Sequence, residues 1–367
     1  MTVSMRVMSA GDGYKYLLKT VAAADGNRPL STPLTRYYMK EGTPPGRWLG
    51  AGVAALGKGE IQVGDRVSEH QLQLLMGTGH DPITDEPLGR AFPTYKSQDE
   101  RIEARIANLD PTMTPGAKGE AVAQIVAEET ARSTRRAVAG FDFTFSIPKS
   151  ASVLWAVADA GVQALIAEAH HRAVAEVVAF MEREVAATRT GATAGDGAVA
   201  QVDVTGLIAT AFDHFDSRAG DPHLHTHVVI SNKAKTVLDG KWRSLDGRPM
   251  HAAVVALSEL HEAVFADHMT RTFGVSWEAR EMGRDHNPAW AITGVPEELI
   301  AEFSTRARHI DAETDRLIAE YVAAHGRRPA PAAIMKLRAQ ATLATRPEKQ
   351  VRSLADLTAE GRTRATK

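Results

Sequence analysis

Residues 140–147, GFDFTFSI, alternate apolar and polar side chains without a break. A segment with a side-chain period of two can bury its apolar half only as a strand, which sets Phe141, Phe143 and Phe145 on one face. Asp142, Thr144 and Ser146 then lie on the other. Pro148, lacking an amide donor, ends the strand, and 149–159 opens a helix. Residues 161–187 place Val162, Leu165, Ile166, Ala169, Ala173, Val177, Phe180 and Met181 at helical spacing. Further strands are predicted at 1–9, 198–214, 223–232, 275–280 and 289–293. Further helices are predicted at 11–24, 67–77, 97–109, 116–136, 249–273 and through the C-terminal part from Pro296. Residues 42–50, GTPPGRWLG, read as loop because Pro44 and Pro45 lack donors and glycines flank them. A hairpin is predicted to turn at Asp239-Gly240. Long helices beside unevenly spaced strands argue for α+β or α/β architecture and against a repeat.

Composition narrows the chemistry. The chain of 367 residues suffices for one large domain or two ordinary ones. It has no cysteine, which excludes a disulfide scaffold, a thiolate metal site and a cysteine nucleophile. Charged residues interrupt every apolar run before it reaches membrane-spanning length, and the N-terminus lacks the apolar core of a signal peptide. A soluble, cytoplasmic protein without membrane insertion is expected. With 43 Lys+Arg against 45 Asp+Glu, the net charge is −2, so any nucleic-acid site must be a local basic cleft.

Four histidines fall within HFDSRAGDPHLHTH, residues 214–227. On a strand His225 and His227 project from one face, while Leu224, Thr226, Val228 and Ile230 take the core side. The turn signal Ala219-Gly220-Asp221-Pro222 reverses the chain and brings His214 alongside on the preceding strand. Three neutral imidazoles can thus converge on one divalent cation, with coordination positions left open for a phosphate oxygen. His223 shares their parity but starts the strand. The competing reading is a set of surface or hydrogen-bonded histidines.

Of six tyrosines, four lie in the first 38 residues: Tyr14, Tyr16, Tyr37 and Tyr38. Tyrosine serves either as packing or as an acid/base or covalent nucleophile, the latter once a cation or base favours the phenolate. Asp142 can orient a ligand histidine or face solvent. Lys149 can reach a phosphate from a helix start. Between Asn232 and Arg248, five basic residues face two acidic ones, and Lys241, Trp242 and Arg243 form the hairpin itself. Arg47 and Trp48 pair a cation with an aromatic in the glycine-rich segment, and Arg218 lies in the histidine turn. Cations interleaved with aromatics suit single-stranded nucleic acid.

Taken together, YYMKEGTPPGRWLGAGVAALG, FDFTFSIPKSASVLWAV, HFDSRAGDPHLHTHVVISN and KTVLDGKWRSLDGR resemble, in their order along the chain, the motifs of the MobF-type conjugative relaxases, the TrwC/TraI family of HUH endonucleases. The resemblance covers most of the chain. It implies an α+β fold with a central antiparallel sheet, the HUH palm, flanked by helices. It further implies a palm over 1–295 and a C-terminal helical part, 296–367, covering the DNA cleft. The implied reaction is site- and strand-specific nicking and strand transfer at an origin of transfer, through a tyrosyl–5′-phosphate intermediate. The metal, a divalent ion, would sit on His214, His225 and His227, with Mg or Mn expected first and Ni or Zn as substitutes in crystals. Asp142 matches the family's orienting acid. Implied partners are single-stranded origin DNA, relaxosome accessory proteins and a conjugative secretion coupling protein. The chain departs from the family in that Tyr14 and Tyr16 are separated by Lys15 instead of adjacent. No G-x-x-x-x-G-K-[ST] loop occurs, so the chain reads as the N-terminal nicking module of a longer polypeptide. Alternatives are a rolling-circle replication initiator, a His-metal phosphodiesterase using water, or a DNA-binding protein with structural histidines.

Overall fold

The computed structural model describes residues 2–18, 45–132, 135–191, 199–282, 288–347 and 353–366. Its strands are β1 (Val3–Ser9), β2 (Arg47–Leu49), β3 (Val138–Ser146), β4 (Ala187–Gly191), β5 (Val199–Asp203), β6 (Ala209–Asp216), β7 (Pro222–Ser231), β8 (Lys233–Lys235), β9 (Trp242–Ser244), β10 (Trp277–Arg280) and β11 (Ala289–Ile292). The helices that position the site are α1 (Lys15–Leu18), α2 (Lys149–Val157), α3 (Ala160–Glu184), α4 (Val254–Phe273), α5 (Thr305–His325), α6 (Pro331–Ala344) and α7 (Leu354–Ala365).

A five-stranded sheet in the order β1-β3-β7-β6-β2 forms the centre, and every neighbouring pair in it is antiparallel. The register aligns Phe141, Phe143 and Phe145 with Ile230, Val228 and Thr226. This phenylalanine face packs on α3 and α4 through Val174, Val177, Val178, Met181 and Leu257. The opposite face carries Asp142, Thr144 and the histidines, and part of it is covered by a second core of Tyr14, Leu17, Trp48, Val53, Leu72, Leu75, Met76 and Phe212. A third cluster joins α2 and α3 to Leu224, Phe265 and Ile292, with Leu354 of α7 packed against it.

The alternation fixed the central strands, and the structure departs from the sequence reading at interruptions. The segment 198–214 is two strands, β5 and β6, in different sheets. At the break, Gly206 has φ +150, and a Cβ there would stand 2.4 Å from the backbone nitrogen of Gly52. Within 42–50, Arg47–Leu49 is strand and not loop, because beyond the prolines its amides are free to pair with β6. The predicted helix 11–24 is described only to Leu18, and the predicted helix 249–273 is broken at Ala253.

Between the phenylalanine face and its helices runs a buried polar line. Thr226 Oγ1 donates to Asp213 Oδ1 at 2.6 Å and lies 2.9 Å from His170 Nε2, whose Nδ1 is 3.4 Å from His261 Nε2. Both imidazoles are fully buried, and burial lowers both pKa values, that of His261 to about 4. A folded pKa below the unfolded 6.5 means that only the unfolded chain takes up the proton between those pH values. His261 alone should therefore remove about 3 kcal/mol of stability as pH falls from 6.5 through 4. Urea melts of the wild type and His261→Gln across this range should show a shallower pH dependence in the variant.

Candidate metal and nucleophile site

Strand register assembles the histidine cluster. His214 pairs directly with His225, and Phe212 with His227, so His214, His225 and His227 share one face. Their ring centroids are 5.2 Å (214–225), 4.9 Å (214–227) and 5.3 Å (225–227) apart, and one ligand nitrogen from each lies within 4.8 Å of the others. Two of the rings are oriented by the hydrogen bonds they donate. His225 Nδ1–H donates to the His223 carbonyl at 2.7 Å. His227 Nδ1–H faces both carboxylate oxygens of Asp142, at 2.9 and 3.0 Å, with Thr144 Oγ1 at 3.2 Å. In both, Nε2 therefore keeps its lone pair. Burial first, then the neighbouring imidazoles, lowers the His225 pKa well below 6.5, so this ring stays neutral as a ligand must. The donor set, three imidazoles without a carboxylate, fits a divalent transition-metal ion with open positions. His223 stands aside, its Nε2 3.4 Å from Ser146 Oγ.

Asp142, only 3% exposed, has a second partner. The chain leaves β1 at Gly11, whose amide bonds the Gly77 carbonyl at 3.1 Å, and a tight turn delivers α1 above the sheet. From α1 the Tyr16 hydroxyl donates to Asp142 Oδ2, and its ring meets His227 edge-on at 6.0 Å. Burial, followed by the Asp142 charge, raises the Tyr16 pKa well above 10, which keeps the proton on the phenol. Tyr14, 2% exposed, faces the second core beside Leu17 and is packing. Tyr37 and Tyr38 lie outside the described residues.

The cations and aromatics singled out in the sequence are divided between fold and surface. Trp48 is fully buried in the second core and offers no stacking face. Its neighbour Arg47 has the opposite parity and donates to Asp213 at 2.5 Å, behind the sheet from the histidines. Lys149 donates to the Pro222 carbonyl at 2.7 Å, and burial lowers its pKa to about 8, so it ties α2 to the start of β7. Arg243 makes a two-pronged bond to Asp239 at 2.6 and 2.8 Å. Lys241 is exposed, and half-buried Trp242 packs against the second core. Arg218 donates to the Pro347 carbonyl at 3.4 Å. Its pKa is lowered by burial and then by Arg346, Arg306 and Arg6, the sign of a strongly positive neighbourhood. The sequence reading missed Thr144 as a partner of His227 and Asp213 as the counter-ion of Arg47. Thr144 shares Asp142's parity two residues on, a signal the alternation already carried.

A family model for the TrwC relaxase matches residues 10–367. The multifunctional conjugation protein TraI of Escherichia coli is 29% identical over 194 residues, 50% of this chain and 10% of that protein; TraI of strain K12 is 28% identical over the same length. The chain thus spans only a small part of these relatives. A metal-bound structure of the conjugative relaxase TrwC in complex with oriT DNA superposes with a TM-score of 0.63 at 24% identity, covering 99% of this chain and 97% of that one. TrwC with a 27-mer DNA comprising its recognition hairpin and cleavage site gives 0.62 at 23% identity, with the same coverage. The likeness establishes a shared fold, including the central antiparallel sheet.

Partners that orient a ligand histidine typically alter metal affinity 10- to 100-fold when replaced. Asp142→Asn should weaken Mn²⁺ or Ni²⁺ binding by about that factor, and His225→Ala should abolish it with the fold retained. Calorimetric titration beside a circular dichroism melt reads both, and unchanged affinity in Asp142→Asn would exclude the orienting role.

Proposed function

The chain belongs to the TrwC relaxase family, and from that premise we propose that it nicks one strand of origin-of-transfer DNA and holds the cut end as a tyrosyl–5′-phosphate, initiating conjugative transfer of a plasmid or integrative element. The observation that carries the reading is Asp142, whose carboxylate receives the Tyr16 hydroxyl and also orients His227. Tyr16 is the nucleophile and Asp142 takes its proton as the Tyr16 oxygen–phosphorus bond forms. The phosphorus–3′-oxygen bond breaks, and the leaving oxygen acquires a proton from solvent. Transesterification conserves the phosphodiester energy for religation. Because a buried, protonated phenol is a weak nucleophile, the adjacent base is what makes the attack feasible. His214, His225 and His227 hold a divalent ion, which when bound supplies charge neutralisation at the phosphate oxygens. The all-imidazole set favours Mn²⁺ or a later first-row ion over Mg²⁺.

The same reading assigns the remaining parts. Single-stranded DNA runs past Arg218 and the exposed Lys241, with the helices from residue 296 onward covering the cleft. Support comes from the bonds of Arg364 and Arg306 to Asp221, in the turn between the histidine strands. Tyr37 and Tyr38 are the second tyrosine pair. Relaxosome accessory proteins and a secretion coupling protein are the expected partners, in the cytoplasm; among the described residues no helix is long and apolar enough to cross a membrane.

Incubation with a single-stranded origin oligonucleotide and Mn²⁺ should yield a covalent adduct on a denaturing gel, with the DNA mapped to Tyr16 by peptide mass. Tyr16→Phe should lose at least about 10³-fold in adduct formation, and Tyr14→Phe should retain it. Cleavage with no adduct would instead identify a phosphodiesterase using water. Lys241→Ala should lower the slope of log K against log salt by about 0.7, one phosphate contact on a single strand.

A further inference from the structure

The edge strand β1 presents Ser4, Arg6 and Met8 to the histidine face, and Arg6 stands directly opposite Asp142 in the register. Residues opposite each other in an antiparallel pair have Cβ atoms about 5 Å apart, close enough for opposite charges to bond. That bond is not made. Asp142 is occupied by Tyr16 and His227, and among the described residues no hydrogen bond or ion pair holds the Arg6 guanidinium, which is exposed. Its charge is felt at two places: it opposes the rise in the Tyr16 pKa that burial and Asp142 cause, and it acts on Arg218 in the β6–β7 turn.

We propose that Arg6 is a catalytic residue whose guanidinium contacts the non-bridging oxygens of the phosphate that Tyr16 attacks. The inference rests on Tyr16 as the nucleophile. An anionic phosphodiester brought to Tyr16 must approach the Asp142 carboxylate, and a cation one strand away offsets that repulsion where it arises. As the Tyr16 oxygen–phosphorus bond forms and the phosphorus–3′-oxygen bond breaks, the phenol proton passes to Asp142 and solvent protonates the 3′ oxygen. Arg6 exchanges no proton and holds the equatorial oxygens throughout. A planar guanidinium suits that geometry better than an ammonium.

The test is single-turnover cleavage of an origin oligonucleotide at saturating DNA with Mn²⁺, by the full 367-residue chain and its Arg6→Ala and Arg6→Lys variants, beside DNA affinity and thermal unfolding. Removal of one transition-state donor costs about 10²-fold or more. Arg6→Ala should show that loss in rate at saturation, with DNA Kd changed by less than about 3-fold and unfolding unaltered, and Arg6→Lys should recover part of the rate. An unchanged rate in Arg6→Ala would overturn the proposal, and so would a loss that higher DNA concentration fully restores, which marks simple backbone tracking. Absence of a Tyr16 adduct in the wild type would instead overturn the nucleophile assignment and this one with it.

Discussion

The pairing of β7 between β3 and β6 determines which groups can meet. Because the side-chain period of a strand is two, a slip of one residue would carry all the imidazoles of β7 to the helix-covered face and expose Val228 and Ile230 in their place. The register is held from both sides of the sheet. On the site face, Thr144 and Asp142 meet His227. On the far face Thr226, which lies between His225 and His227, donates to Asp213, and Asp213 in turn holds Arg47 on β2. Asp213 is buried, and losing one partner from a buried ionic group is costly, so the far-face bonds penalise any displaced pairing.

Asp142 joins the histidine cluster to Tyr16 through one carboxylate. It orients the ring of His227 and receives the hydroxyl of Tyr16, so the histidine cluster and the tyrosine are not independently adjustable. Tyr14, one residue removed from α1, cannot share the role: it points into the core, and its burial anchors the turn that aims Tyr16. The separation of the two tyrosines by Lys15 thus has a simple structural reading, in which one ring packs and the next but one reaches the acid.

Much of this was legible from alternation alone. The faces of β3 and β7, the grouping of His214 with His225 and His227, and the placement of Asp142 all follow from a period of two plus one turn signal. What escaped was whatever depends on partners distant in sequence. Trp48 and Arg47 stand side by side in the chain and look like a stacking-and-charge pair, yet strand β2 sends them to opposite faces, one into a core and one onto Asp213. Arg243 counts as a free cation in a charge tally and is bound to Asp239 in the fold. Arg6 carries no local signal, since its significance comes from the strand that pairs with it. The break in 198–214 depends on the approach of Gly206 to Gly52, which no local pattern encodes.

The turn between the histidine strands is fastened by residues far along the chain. Asp221, 1% exposed, accepts from Thr305 Oγ1 at 3.2 Å, from the Arg306 amide at 3.4 Å and from Arg364 at 3.1 Å, and Arg364 also reaches Glu302. The loop that spaces His214 from His225 is therefore pinned by α5 and α7. Tension applied to α7 would pull on Arg364 and, through it, on Asp221. The turn would lose one of its three fastenings while the histidine strands stayed paired, and the bonds of Thr305 and Arg306 to Asp221 would remain.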